Sequence, residues 1–157
     1  VWFESLRIHS SSGSTVITEH PEWLIANKYL ADKGEPFSYL FNIGIPEARE
    51  YLFRTICRIM EQEGIDDYRE DFNLEPACYF EWNDEPDRIG ITEMKFVEGA
   101  YLYWEAFRKR FPDMFIDNCA SGGRRLDYKT AVHYRCYCVY LWLDYQYAFR
   151  SCHPSFA

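Results

Sequence analysis

A chain of 157 residues, 48% hydrophobic and 27% charged, is long enough for one domain with its own core and too apolar for disorder. Its net charge of −8 argues against nucleic acid and anionic membrane surfaces as partners, and no stretch approaches the roughly 20 apolar residues of a membrane span. The 19% aromatic content suits either core filling or stacking on sugar rings, so its meaning depends on where the rings sit.

Residues 1–4, Val-Trp-Phe-Glu, read as a short apolar strand ending on a carboxylate, and the Ser/Thr/Gly-rich stretch 10–18 reads as loop. A second apolar run, 37–43, is closed by Gly44. Pro46 then opens a helical pattern in which Ala48, Tyr51, Leu52, Ile56, Ile59 and Met60 recur up to Gly64, a good stop. Residues 65–73 follow as a strand, and 74–91 as a polar loop. Thr92 is placed to cap a second helix with Phe96, Tyr103, Trp104 and Phe107 on its apolar side. Residues 113–118 form the next strand, which runs into the small-residue turn 119–125.

Strand, helix, strand, helix, strand, with polar residues collecting where each strand ends, is the order of a parallel α/β fold. Both a (β/α)8 barrel and a doubly wound sheet obey it. A whole barrel takes about 250 residues. The expectation is therefore a partial (β/α)8 barrel of three to four strands, not closed; a small doubly wound binding protein would need a self-contained sheet.

The strand 65–73 holds the chemistry. Side chains alternate along a strand, so Arg69, Asp71 and Asn73 share one face. A carboxylate beside a cation stays ionised, as a nucleophile must, and the amide of Asn73 can hydrogen-bond a hydroxyl. A structural ion pair in a polar layer is the competing reading.

Several stretches together resemble glycoside hydrolase family 36, the melibiase-type α-galactosidases. They are Trp2-Phe3-Glu4, His20-Pro21-Glu22-Trp23, Pro46-Glu47-Ala48-Arg49, residues 66–73, the loop 83–93 and residues 117–125, in that order. The resemblance covers residues 1–131. It implies that Asp71 is the nucleophile of a retaining hydrolysis, that Arg69 occupies the basic position two residues earlier, and that the turn carrying Asn118, Cys119 and Gly122 contacts the sugar. The implied partner is an α-galactoside oligosaccharide, with no cofactor and no metal; the oligomeric state is left open. Two departures lie inside the matched motifs. Glu70 stands where the family usually has Trp, pointing toward the helix layer, where a carboxylate needs a basic partner or an exposed edge. Ser5 and Leu6 stand where the family has Pro and Glu. The aspartate pair that grips the sugar hydroxyls in the family belongs upstream of Val1.

Residues 132–157 change character, crowded with Tyr and Cys and holding one acid, Asp144. Asp144, in Leu141-Trp142-Leu143-Asp144-Tyr145, is the nearest candidate for the acid/base, although its spacing differs from the family's Trp-x-x-Asp. A divergent, non-homologous tail is the competing expectation, and with it an inactive remnant of such an enzyme. The six cysteines form no CxxC pair and read as free thiols of a cytoplasmic protein. His9, His20, His133 and His153 lack metal-ligand spacing; Asp84 and Asp87 read as a solvated rim, and Asp127 as a local cap or arginine partner.

Overall fold

The computed structural model describes residues 1–120, Arg125, residues 127–129 and the backbone of Cys136–Tyr137. In chain order the elements are β1 (Trp2–Phe3), β2 (Arg7–His9), α1 (Thr15–Glu19), a 3-10 turn (Pro21–Trp23), β3 (Leu24–Ile25), α2 (Lys28–Asp32), β4 (Ser38–Phe41), α3 (Pro46–Glu63), β5 (Asp67–Glu70), α4 (Ala77–Asn83), α5 (Ile91–Arg110), β6 (Phe115–Asn118) and β7 (Cys136–Tyr137).

Among the described residues, four strands form an open parallel sheet in the order β1-β5-β6-β7. The apolar run 37–43 is not one of them. Its strand β4 is the centre of a separate antiparallel sheet, β2-β4-β3. The sequence signal was real, since Leu40, Phe41 and Ile43 are buried, but an apolar run does not specify its pairing partner. Accordingly, β1 connects to β5 through this small sheet as well as α3.

Helix α3 begins with Pro46 in the first turn, where a missing N–H is harmless, and buries Ala48, Leu52, Ile56, Cys57 and Met60. Gly64 ends it at φ 63°, a left-handed conformation natural to glycine, and the N–H of Ile65 donates to the carbonyl of Met60 at 2.9 Å. Helix α5 buries Phe96, Gly99, Tyr103, Trp104 and Phe107. Gly99 is where it meets the β4–α3 loop: a Cβ there would lie 2.1 Å from the carbonyl oxygen of Ile43.

The two helices meet the back of the sheet in an aromatic cluster. Tyr68 of β5 stacks on Phe107 at 5.1 Å and lies 5.5 Å from Trp104, while Phe53 of α3 meets Phe107 edge-on at 5.0 Å. Much of the aromatic surplus is therefore core.

Three local expectations are corrected. The loop 10–18 turns helical at α1. The loop 74–91 contains α4, whose Cys78, Tyr79 and Phe80 are buried; seven residues are too few for a helical period to show. Thr92 does not cap α5. Gly90 occupies the cap position, and Asp84 reaches forward to accept from the N–H groups of Gly90 (2.6 Å) and Thr92 (3.1 Å) and from the Thr92 hydroxyl. Those bonds hold the Asp84 carboxyl below its ordinary range, the Thr92 hydroxyl contributing most.

Candidate active site

The site grows from the register of the parallel sheet. Trp2, Arg69 and Asp117 are partners across β1, β5 and β6, so their side chains share one face. Arg69 Nη1 donates to Asp117 Oδ2, and its guanidinium lies 6.0 Å from the centre of the Trp2 ring. On the other face, Tyr68 and Glu70 pack toward α5, and beyond the strand Phe72 meets Phe96 of α5 at 6.5 Å. Glu70 and Phe72 both take the α5 side, and Asp71 stands between them where the strand ends.

Asp71 sits just past the C-terminal end of β5. Its N–H donates to the carbonyl of Phe3 at 2.8 Å, and its Oδ1 accepts from the N–H of Phe72 at 2.8 Å. The carboxylate is buried. Asn73 follows with its N–H on Glu4 Oε1 at 2.9 Å, and Glu4 Oε2 in turn accepts from Arg7 at 2.5 Å. On the neighbouring strand, Cys119 donates its N–H to the carbonyl of Glu70 at 2.9 Å, which brings Cys119 alongside Asp71.

The structure thus gathers Arg69, Asp71, Asn73 and Cys119 at the ends of β5 and β6. Asn118 is the register partner of Glu70, not of Asp71; it is buried, and its Oδ1 has no hydrogen-bond partner among the described residues. Gly122 and Asp144 lie outside the described residues. Asp84 caps α5, Asp87 is exposed, and Asp127 accepts from the Tyr101 hydroxyl and the Lys129 N–H as a local cap. His20 stacks on Trp23 at 3.7 Å.

Glu70 lacks the exposed edge, and the basic group acting on it is Arg125. It is fully buried, with Ser5 and Tyr68 donating to its carboxylate. Burial pushes its pKa up to about 7, while the Arg125 guanidinium and the bonds from Tyr68 and Ser5 pull the other way. Trp2, Asp117 and Glu4 were missed as neighbours of the site. The period-two alternation of 115, 117 and 119 held the signal for Asp117, but only the register pairs it with Arg69.

The model of the family described as Melibiase matches residues 1–142. The chain belongs to that family. It is 26% identical over 133 residues to the α-galactosidase Mel36A of Lactobacillus acidophilus, covering 85% of this chain and 18% of that protein. It is 24% identical over 130 residues to an Escherichia coli α-galactosidase, covering 83% and 17%. Among solved structures, the Lactobacillus brevis α-galactosidase superposes with a TM-score of 0.69 at 24% identity, covering 87% of this chain and 18% of that one. The family 36 α-galactosidase AgaA of Geobacillus stearothermophilus gives 0.68 at 19%, covering 87% and 19%; variants of it are solved with raffinose and with stachyose. The chain therefore spans less than a fifth of the length of these relatives.

Among the described residues, Cys57, Cys78 and Cys119 are free thiols, and no helix is long and apolar enough to cross a membrane.

Proposed function

We propose that this chain contributes the nucleophile-bearing part of a (β/α)8 barrel that hydrolyses terminal α-galactosyl groups of oligosaccharides with retention. The observation that carries the reading is Asp71: a buried carboxylate at the C-terminal end of an inner parallel strand, where barrels place their chemistry, in a chain of the Melibiase family. The raffinose and stachyose complexes of AgaA variants support an α-galactosyl oligosaccharide as the substrate class.

In this mechanism an Asp71 oxygen attacks the anomeric carbon as its bond to the leaving oxygen breaks, and a second carboxyl group gives that oxygen a proton. Water then attacks the glycosyl ester, passing a proton to the same group and regenerating the Asp71 carboxylate. Asp144 is the candidate for that second group. The Arg69–Asp117 pair forms a charged wall beside the nucleophile, and the exposed Trp2 ring offers an apolar surface to a sugar.

Turnover needs a complete set of strand-end groups, so the 157 residues alone should hydrolyse an aryl α-galactoside negligibly. The test is a chimera in which residues 1–120 replace the matched stretch of the Lactobacillus acidophilus relative. A fluorinated galactosyl donor with an activated leaving group should leave its sugar on the Asp71 peptide, read by mass spectrometry. Label on another carboxylate, or an undiminished label after Asp71→Ala, overturns the assignment.

A further inference from the structure

Two of the positions at which this sequence departs from the family pattern touch each other. Glu70 Oε1 accepts from the N–H of Ser5 at 3.0 Å, and Oε2 accepts from the Ser5 hydroxyl at 2.7 Å and from the Tyr68 hydroxyl. A proline at position 5 could supply neither donor from Ser5. A fully buried carboxylate without such donors would be strongly unfavourable, so each residue makes sense only with the other.

We propose that Ser5 and Glu70 are a coupled positioning pair for Asp71. Glu70 is the residue immediately before the nucleophile, and it is tied on two sides. Its side chain binds the segment just after β1, while its carbonyl accepts from the N–H of Cys119 (2.9 Å) and from Arg125 (3.3 Å) after β6. Phe3, two residues before Ser5, accepts the Asp71 N–H. The peptide that carries Asp71 is thereby closed into a ring running Phe3, Ser5, Glu70, Asp71, with one strand on each flank. Removing the Ser5 donors frees one side of that ring.

The pair is also sensitive to protonation. Facing Glu70 are Ser5 from the β1 end, Tyr68 on its own strand, and Tyr103 of α5, whose hydroxyl is 3.4 Å from that of Tyr68. Arg125 contributes charge from beyond β6, Asn118 is the β6 register partner, and Cys57 of α3 faces Tyr103. Arg125 supplies positive charge to Glu70, whose carboxylate is bonded to Ser5 at the β1 end, so a change of charge at Glu70 should alter the hydrogen bonds that frame Asp71.

The test uses this chain and no sugar, so its outcome is independent of whether Asp71 is the nucleophile. By denaturant unfolding at pH 8, Ser5→Ala should raise the unfolding constant on the order of 10-fold. In a Glu70→Gln background the same change should cost only a few-fold, and Ser5→Thr, which keeps both donors, should stay near the parent. By carbon NMR of labelled protein, the Asp71 carboxyl resonance should move with pH through neutrality and become flat in Glu70→Gln. Equal costs of Ser5→Ala in both backgrounds would overturn the coupling. An Asp71 resonance indifferent to Glu70→Gln would overturn the positioning role.

Discussion

On one side of β5, Tyr68, Glu70 and Phe72 are at most 5% exposed, locked among the rings of α5; on the other, Trp2 is 65% and Phe115 38% exposed around the Arg69–Asp117 pair. One strand thus presents a finished interior and a more open polar face, with one buried carboxylate, Glu70, on the strand and a second, Asp71, just past its end. The interior carboxylate, Glu70, is surrounded by donors and driven toward its neutral form by burial. The other, Asp71, is also buried and spends one oxygen on the next residue's N–H. Adjacent residues of the same chemistry thereby have different partners and, under the proposed function, different roles.

The sharpest break in that comparison is functional. In the chimera, if Asp71 is the proposed nucleophile, Asp71→Ala should lower turnover of an aryl α-galactoside on the order of 10⁴-fold or more while the unfolding midpoint stays near the parent's. A large loss of stability with unchanged turnover per folded molecule would reverse the two roles.

Next in size is the interior side itself. Tyr68→Ala should cost about 3–5 kcal/mol in urea unfolding, since it removes a fully buried ring and one of the donors to Glu70. A cost near that of a surface substitution would mean that the aromatic cluster is not what holds β5 to α5.

Glu70 gives the comparison a pH signature. Its pKa in the folded chain, about 7, lies above the ordinary 4.5, so the folded state holds the proton more tightly. The associated stability is fully present below pH 4.5 and is lost as pH rises through 7, by about 3 kcal/mol in total. Glu70→Gln should flatten that loss in unfolding experiments between pH 5 and 8. A parent whose stability rises across this range by an amount that depends on Glu70 would show the sign to be wrong.

The smallest effect expected is at the outer packing of the same helix. Gly99→Ala should destabilise by about 1–3 kcal/mol, because the new methyl meets the Ile43 carbonyl and the β4–α3 loop must shift. The hydrogen bonds of Asp71 run to Phe3 and Phe72 and not to that loop, so the Asp71 resonance should be unchanged in this variant.

The long helices and the strand that leads to Asp71 follow from the sequence, because period, proline and glycine act locally: Pro46 starts α3, Gly64 ends it, and alternation puts Arg69 on the opposite face from Tyr68 and Glu70. The choice of strand partners does not act locally. Only the tertiary structure put β4 in a separate sheet, aligned Asp117 with Arg69, turned Asp84 from a rim residue into the cap of α5, and brought Ser5 across 65 positions to Glu70. Each of these is a hydrogen-bond partnership, from the 8 positions between Asp84 and Thr92 to the 65 between Ser5 and Glu70. A sequence pattern shows that a buried polar group needs a partner; register and packing decide which residue supplies it.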